Sequence, residues 1–240
     1  MSTRLAILGM GPGDPELITL KAVRLLAEAG VVAYFAKRGQ QGHARRIAAP
    51  HLRPGTAELR FEYPYTTELP ADHPHYAAEL AACYDAAAEA IAAQLAAGAR
   101  VALLCEGDPF FYGSAMYVYD RLTGAHDIVV VPGVTGMSAC WTEAGCPIAH
   151  GDDVLTVLPG TLDAATLAER LGACDAAVIM KVGRNLGRIR AAVTRAGLLG
   201  RALYVERGTM EGQRVLPLAE VERAAPYFSL VLIPGRQRAR

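Results

Sequence analysis

No charge of one sign prevails in the sequence: 24 Lys and Arg stand against 24 Asp and Glu. That balance argues against a general nucleic-acid binder, which carries a basic excess, while leaving room for a local basic patch. The five cysteines form no C-x-x-C pair, so a reduced, cytoplasmic protein is the simple expectation. None of the six histidines shows metal-ligand spacing such as H-E-x-x-H, and no metal is expected. No apolar run approaches the roughly 20 residues that span a membrane. The run before Gly9 is too short for a signal peptide. A G-x-x-x-x-G-K-[ST] loop is absent, which leaves a nucleotide triphosphatase unsupported. Tyr112-Gly113-Ser114-Ala115-Met116 is not G-x-S-x-G, so a hydrolase nucleophile elbow is absent too.

What is present is apolar sequence, 52% of 240 residues, ample for one large core or two small ones. Short apolar runs alternate with helical patterns. Arg4 to Gly9 is a buried strand that ends in Gly-Met-Gly-Pro-Gly-Asp-Pro, with Asp14 and Pro15 suited to a helix cap and first helical position. Apolar spacing predicts one helix over 16–29, closed by Gly30, and a second strand over 31–36. A basic loop follows, then a strand over 57–63, a polar loop and an Ala-rich helix over 76–97. Val101 to Cys105 is a strand that stops at Glu106-Gly107-Asp108-Pro109, with Phe110-Phe111-Tyr112 behind it. The carboxyl edge of a buried parallel strand is where open α/β sheets bind ligands. Pro132 to Gly136 breaks the pattern. Beyond it strands over 154–158, 177–181, 202–206 and 229–233 alternate with helices over 164–171, 186–196 and 218–225. The expected architecture is two α/β domains, 1–131 and 132–240.

The first Gly-rich turn invites a dinucleotide fold, but Asp14, followed by Pro15, stands where G-x-G-x-x-G needs its third glycine. Lys37 and Arg38 occupy the place of the ribose-binding carboxylate. These cations could accept a 2′-phosphate, which keeps an NADP-dependent oxidoreductase open as an alternative. Class I methyltransferases open their pattern with an acidic residue in the strand, and RLAILG has none.

Five stretches in order, GMGPGDPELITLKA, EGDPFFYG, VVPGVTGMSA, VIMKVGRN and YVERGT, resemble the tetrapyrrole methylase family. The resemblance covers Gly9 to Thr209 and implies two α/β domains with S-adenosylmethionine folded in the cleft between them. Its implied cofactor contacts are Pro12, Glu106, Gly107, Asp108, Phe111, Thr135, Gly136, Met180 and Gly208. The family often carries Ala at the position of Gly136, which implies a backbone contact there. Finer stretches (AYFAKRG, YPYTTELP, CEGDPFFYGSAMY, GDDVLTVLPGTL and YVERGTM) are similar to the members that methylate precorrin-2 at C-20 in aerobic cobalamin biosynthesis. The uroporphyrinogen members typically read Gly-Gly-Asp-Pro where this chain has Glu106-Gly107-Asp108-Pro109. The cobalt-precorrin members typically carry Ser-Thr where this chain has Gly113-Ser114.

Methyl transfer from a sulfonium is an in-line displacement in which positioning supplies much of the rate. The C-20 proton must then leave, and Glu106 or Tyr112 is the expected base, with Asp108 serving the cofactor. Lys37, Arg38, Lys181 and Arg184 are the expected partners of the acetate and propionate arms. Arg45 and Arg46 are as readily a solvated loop. The family suggests a homodimer. Another precorrin or cobalt-precorrin methylase, a diphthine synthase and a non-catalytic tetrapyrrole carrier complete the alternatives.

Overall fold

The computed structural model describes residues 5–65, 74–222 and 224–235. Two compact units divide the chain, the first running to Thr135 and the second starting at Gly136.

The first unit is a five-stranded sheet of β1 (Leu5–Gly9), β2 (Val31–Lys37), β3 (Ala57–Tyr63), β4 (Val101–Cys105) and β5 (Ile128–Val131), in the order β3-β2-β4-β1-β5. Every pairing is parallel. Because strand side chains alternate, β1, β2 and β4 feed two cores. Ala6, Leu8, Val32, Tyr34, Ala102 and Leu104 pack with α1 (Leu20–Glu28) and α2 (His43–Ala48) on one face. Leu5, Ile7, Ala33, Phe35, Val101 and Leu103 pack with α3 (Pro74–Ala96) and α4 (Ala115–Leu122) on the other. Each fully buried Leu or Ile contributes roughly 1.5–3 kcal/mol of transfer free energy.

The connections set the position of the site. From β1 the chain moves through α1 toward β2 on one side. From the adjacent β4 it moves through α4 over β1 to β5 on the other side. Right-handed crossovers running in opposite directions must use opposite faces. The β1 and β4 carboxyl ends therefore part at a topological switch point, where a crevice opens.

The second unit is a mixed sheet of β6 (Leu155–Pro159), β7 (Ala176–Met180), β8 (Leu203–Glu206), β9 (Arg214–Pro217) and β10 (Ser229–Ile233), ordered β6-β7-β10-β8-β9. Only β6 and β7 pair in parallel; β10 runs antiparallel to β7 and β8, and β9 antiparallel to β8. Helices α6 (Ala164–Gly172) and α7 (Leu186–Arg195) cover one face, and α5 (Gly136–Glu143) contributes Met137, Cys140 and Trp141 to the other.

Two expectations change. The helix over 16–29 is broken: Pro15–Leu17 is a 3-10 turn capped by Asp14, and α1 begins only after Thr19, whose hydroxyl accepts from Ala22 N at 3.2 Å. Local side-chain capping competes successfully with the helical period there. The helix over 218–225 shrinks to a 3-10 turn at Leu218–Glu220, and the residues just before it form β9. Helix α5, opened by a glycine, follows directly on the segment where the strand–helix pattern breaks off.

Candidate functional site

Three strand ends meet through backbone rather than side chains. Met10 N donates to Cys105 O at 2.8 Å, and Gly107 N to Gly11 O at 2.8 Å. A Cβ added at Gly9 would lie 2.5 Å from Gly133 N and 2.8 Å from Gly107 O; one added at Gly133 would overlap the Gly107 carbonyl. The glycines that close β1 and follow β4 and β5 are thus close-packing residues that form the floor of the crevice.

Asp108 fastens this floor. Its Oδ2 accepts from Gly133 N at 3.0 Å and its Oδ1 from Phe110 N at 2.9 Å, so each carboxylate oxygen holds one loop amide. Phe111 is half-buried and rests edge-to-face on Tyr112, with ring centroids 5.0 Å apart. Pro12 is buried in the turn after β1.

Glu106 is partly buried directly after β4, and Ala44 N donates to its Oε1 at 3.3 Å. That bond caps α2, whose own N-cap is Gly42 and supplies no side chain. Desolvation raises the Glu106 carboxyl above the ordinary carboxylate range, while the Ala44 amide and the charge of Arg46 pull the other way. A carboxyl poised closer to neutrality than a surface glutamate is suited to proton transfer.

Left-handed backbone at non-glycine residues marks the end of β4 in the first unit and, separately, the ends of β7 and β8 in the second. Among the described residues it occurs at Tyr112 (φ 56°), Lys181 (φ 56°), Arg207 (φ 53°) and Thr209 (φ 63°). Each follows β4, β7 or β8 within a stretch singled out in the sequence. For a β-branched residue such as Thr209 this conformation is a genuine outlier, and such strain gathers at functional sites. The composition of these turns announces none of it.

The remaining expected residues take up the following places. Thr135 and Gly136 lie at the boundary of the units and are partly exposed; a Cβ added at Gly136 meets nothing within 4 Å. Met180 ends β7, and its carbonyl accepts from Gly160 N at 2.7 Å. Gly208 packs on Cys140, where an added Cβ would come within 2.7 Å of Sγ. Lys37 ends β2 exposed; Arg38 is exposed beside Glu62, Nε to Oε2 3.9 Å. Lys181 and Arg184 are exposed just after β7. Arg45 is committed within the fold: Glu58 accepts from its Nε at 2.9 Å and from Tyr34 Oη at 2.9 Å. Arg46 lies against His43, whose pKa burial pushes down to about 4. Of YPYTTELP, residues 66–70 lie outside the described residues.

Two parallel-sheet loops meet over interlocked glycines at a switch point, the place where open α/β sheets bind ligands, and sequence comparison identifies the fold. The chain belongs to the tetrapyrrole (corrin/porphyrin) methylases, whose family model matches residues 4–222. It is 53% identical over 233 residues, 97% of this chain and 95% of the relative, to a precorrin-2 C(20)-methyltransferase from a Sinorhizobium species. It is 30% identical to the cobalt-precorrin-2 C(20)-methyltransferase of Salmonella typhimurium, over 97% of each chain. Among solved structures, the uroporphyrin-III C-methyltransferase of Thermus thermophilus, complexed with S-adenosylhomocysteine, superposes with a TM-score of 0.66. It shares 25% identity over 95% of this chain and 96% of the other.

Proposed function

We propose that the protein transfers a methyl group from S-adenosylmethionine to C-20 of precorrin-2, giving precorrin-3A in cobalamin biosynthesis. The observation that carries the cofactor reading is electrostatic. Residues 9–15 and 106–113, the loops at the switch point, contain Asp14, Glu106 and Asp108 but no Lys or Arg. A pyrophosphate needs cations or a helix N-terminus there. Helix α1 begins only at Leu20, beyond a 3-10 turn, so the N-terminus a dinucleotide uses is displaced. A sulfonium with an α-ammonium group fits carboxylates and glycine backbone instead. The oxidoreductase alternative loses its support.

The residues proposed to hold the cofactor are Pro12, Glu106, Gly107, Asp108 and Phe111, with Thr135, Gly136, Met180 and Gly208. S-adenosylmethionine, when bound, supplies an electrophilic methyl group. The chain's own tasks are orientation and proton removal. Asp108 keeps Gly133 and Phe110 in fixed positions through its two amide bonds. Glu106 takes the C-20 proton, its raised pKa being the supporting property, and Tyr112 is assigned to the acceptor side. Lys37, Arg38, Lys181 and Arg184 meet the substrate's carboxylate arms. The family resemblance supports a homodimer, and the scattered cysteines support a reduced, cytoplasmic setting.

Thermal unfolding titrations check the cofactor class. S-adenosylhomocysteine at a hundred times its dissociation constant is expected to stabilise the protein by about 2.7 kcal/mol, since it binds only the native state. NADPH is expected to leave the midpoint unchanged; protection by NADPH alone would return the oxidoreductase.

A further inference from the structure

Ser114 stands at the start of α4, where a serine ordinarily turns its hydroxyl onto the helix's own amides. It makes no such cap, and its backbone is already helical at φ −64° and ψ −21°. Its Oγ instead accepts from Tyr63 Oη at 2.7 Å and from Tyr84 Oη at 3.4 Å. The two tyrosines come from β3 and α3 and are themselves fixed. Phe35 stacks on Tyr63 with centroids 5.1 Å apart and meets Tyr84 edge-on at 5.5 Å; Tyr84 stacks on Tyr117 at 4.8 Å. A helix start that gives up its local cap for two long-range bonds breaks a local rule, and such breaks concentrate at functional sites.

The consequence is a loop held at both ends. Asp108 and Gly107 secure its beginning against β1 and the residues after β5. Gly113 secures its end, because a Cβ there would lie 2.6 Å from Pro109 O and 2.8 Å from Cys105 Sγ. Next to it the serine hydroxyl ties the chain to two rings anchored in the core. Between the clamps lie Phe110 and Tyr112, about half exposed, with Tyr112 in the left-handed region.

We infer that Ser114 is a positioning residue for the acceptor: its bonds to Tyr63 and Tyr84 hold Tyr112 in a presented, left-handed conformation. This rests on the reading of Tyr112 as an acceptor-side residue. Of the cofactor-side residues of this loop, Gly107 and Asp108 sit at the other clamp and keep their own bonds without Ser114, and Phe111 alone lies between the clamps, against Tyr112. Turnover and cofactor affinity should therefore separate, which general destabilisation would not achieve.

The test uses the full chain with S114A, S114T, Y63F and Y84F. S114A is expected to lower kcat for precorrin-2 methylation by about tenfold or more, as small displacements of a positioned group do. Its S-adenosylhomocysteine affinity should fall by much less, no more than about threefold, because Gly107 and Asp108 keep their bonds and Phe111 alone is loosened. S114T, which keeps the hydroxyl, should restore turnover, and Y63F should cost more than Y84F because its bond is the shorter. Unchanged turnover in S114A, a parallel loss of cofactor affinity, or failure of S114T to restore activity overturns the assignment. Hydrogen exchange of the amides of Phe110, Phe111 and Tyr112 is measured on the same proteins. Faster exchange in S114A supports the latch even if wild type leaves precorrin-2 unmethylated, in which case the functional reading alone falls. Unchanged exchange overturns the latch whatever the turnover.

Discussion

Replacing Gly133 with alanine will cost the protein more than about 4 kcal/mol or prevent its folding, the largest single effect expected anywhere in the chain. A new methyl group there has no direction in which to relax. It would overlap the Gly107 carbonyl and press on Gly9 Cα at 3.0 Å, and both neighbours are backbone. Gly107 cannot withdraw without breaking its 2.8 Å bond to Gly11, nor Gly133 without releasing Asp108. Natural domains are stable by only about 5–15 kcal/mol, so a clash of this kind consumes a large share of the margin. Gly136→Ala serves as the control, three residues along. Its Cβ meets nothing within 4 Å and it lies in α5, so alanine there is expected to be neutral or slightly stabilising by helix propensity. Urea unfolding of the two variants measures the contrast. A Gly133→Ala protein with the wild-type midpoint contradicts the account of the interlocked strand ends.

Glu106→Gln is expected to lower turnover by about a hundredfold or more, the usual contribution of a positioned base, while raising stability at neutral pH. The opposed signs follow from burial. The Glu106 carboxyl has a native pKa raised first of all by desolvation, so the folded chain holds this proton more tightly than the unfolded chain does. Stability from this group is therefore lost as pH rises from the unfolded carboxylate value through the native one. Above the native value the full penalty of a buried charge is present, and below the unfolded value there is none. Glutamine carries no such penalty, and its carbonyl oxygen can still accept from Ala44 N. The variant should unfold at higher urea than wild type near pH 8, with the difference vanishing at acid pH. Unchanged turnover removes Glu106 from the list of bases, and a pH-independent difference contradicts its desolvation. A residue that destabilises the fold while serving the reaction is what a stability–activity trade-off looks like at one carboxyl.

Much of the first unit was legible because its parallel strands are buried on both faces. RLAILG, VVAYFA and VALLC are continuous apolar runs closed by Gly or by a charged, Gly-bearing turn, and a period-2 or helical alternative does not fit them. The crevice followed from the same pattern, since the two unusual turns sit after strands that prove to be neighbours. The strand order itself, with β4 inserted between β2 and β1, depends on long-range pairing that no local pattern encodes. The break between Leu17 and Leu20 was hidden because the apolar spacing runs through it, while one threonine hydroxyl decides where α1 begins. In the second unit the antiparallel β10 and the four-residue edge strand β9 carry no signal that separates them from parallel strand or loop. The Ser114 latch was equally hidden, because its tyrosines lie 51 and 30 residues away in the chain. Asp108 shows a partial reading: the sequence marks it as a site residue, whereas the structure adds that both oxygens already organise the loop. The left-handed residues Tyr112, Lys181, Arg207 and Thr209 are the clearest case. Nothing in their types suggests the conformation, yet they fall in the stretches that family resemblance had singled out.

Incubation of the protein with S-adenosylmethionine and precorrin-2, followed by mass spectrometry and NMR of the product, tests the central claim most directly. One added methyl group, located at C-20, is the predicted result. No reaction with precorrin-2 together with methylation of uroporphyrinogen would contradict it.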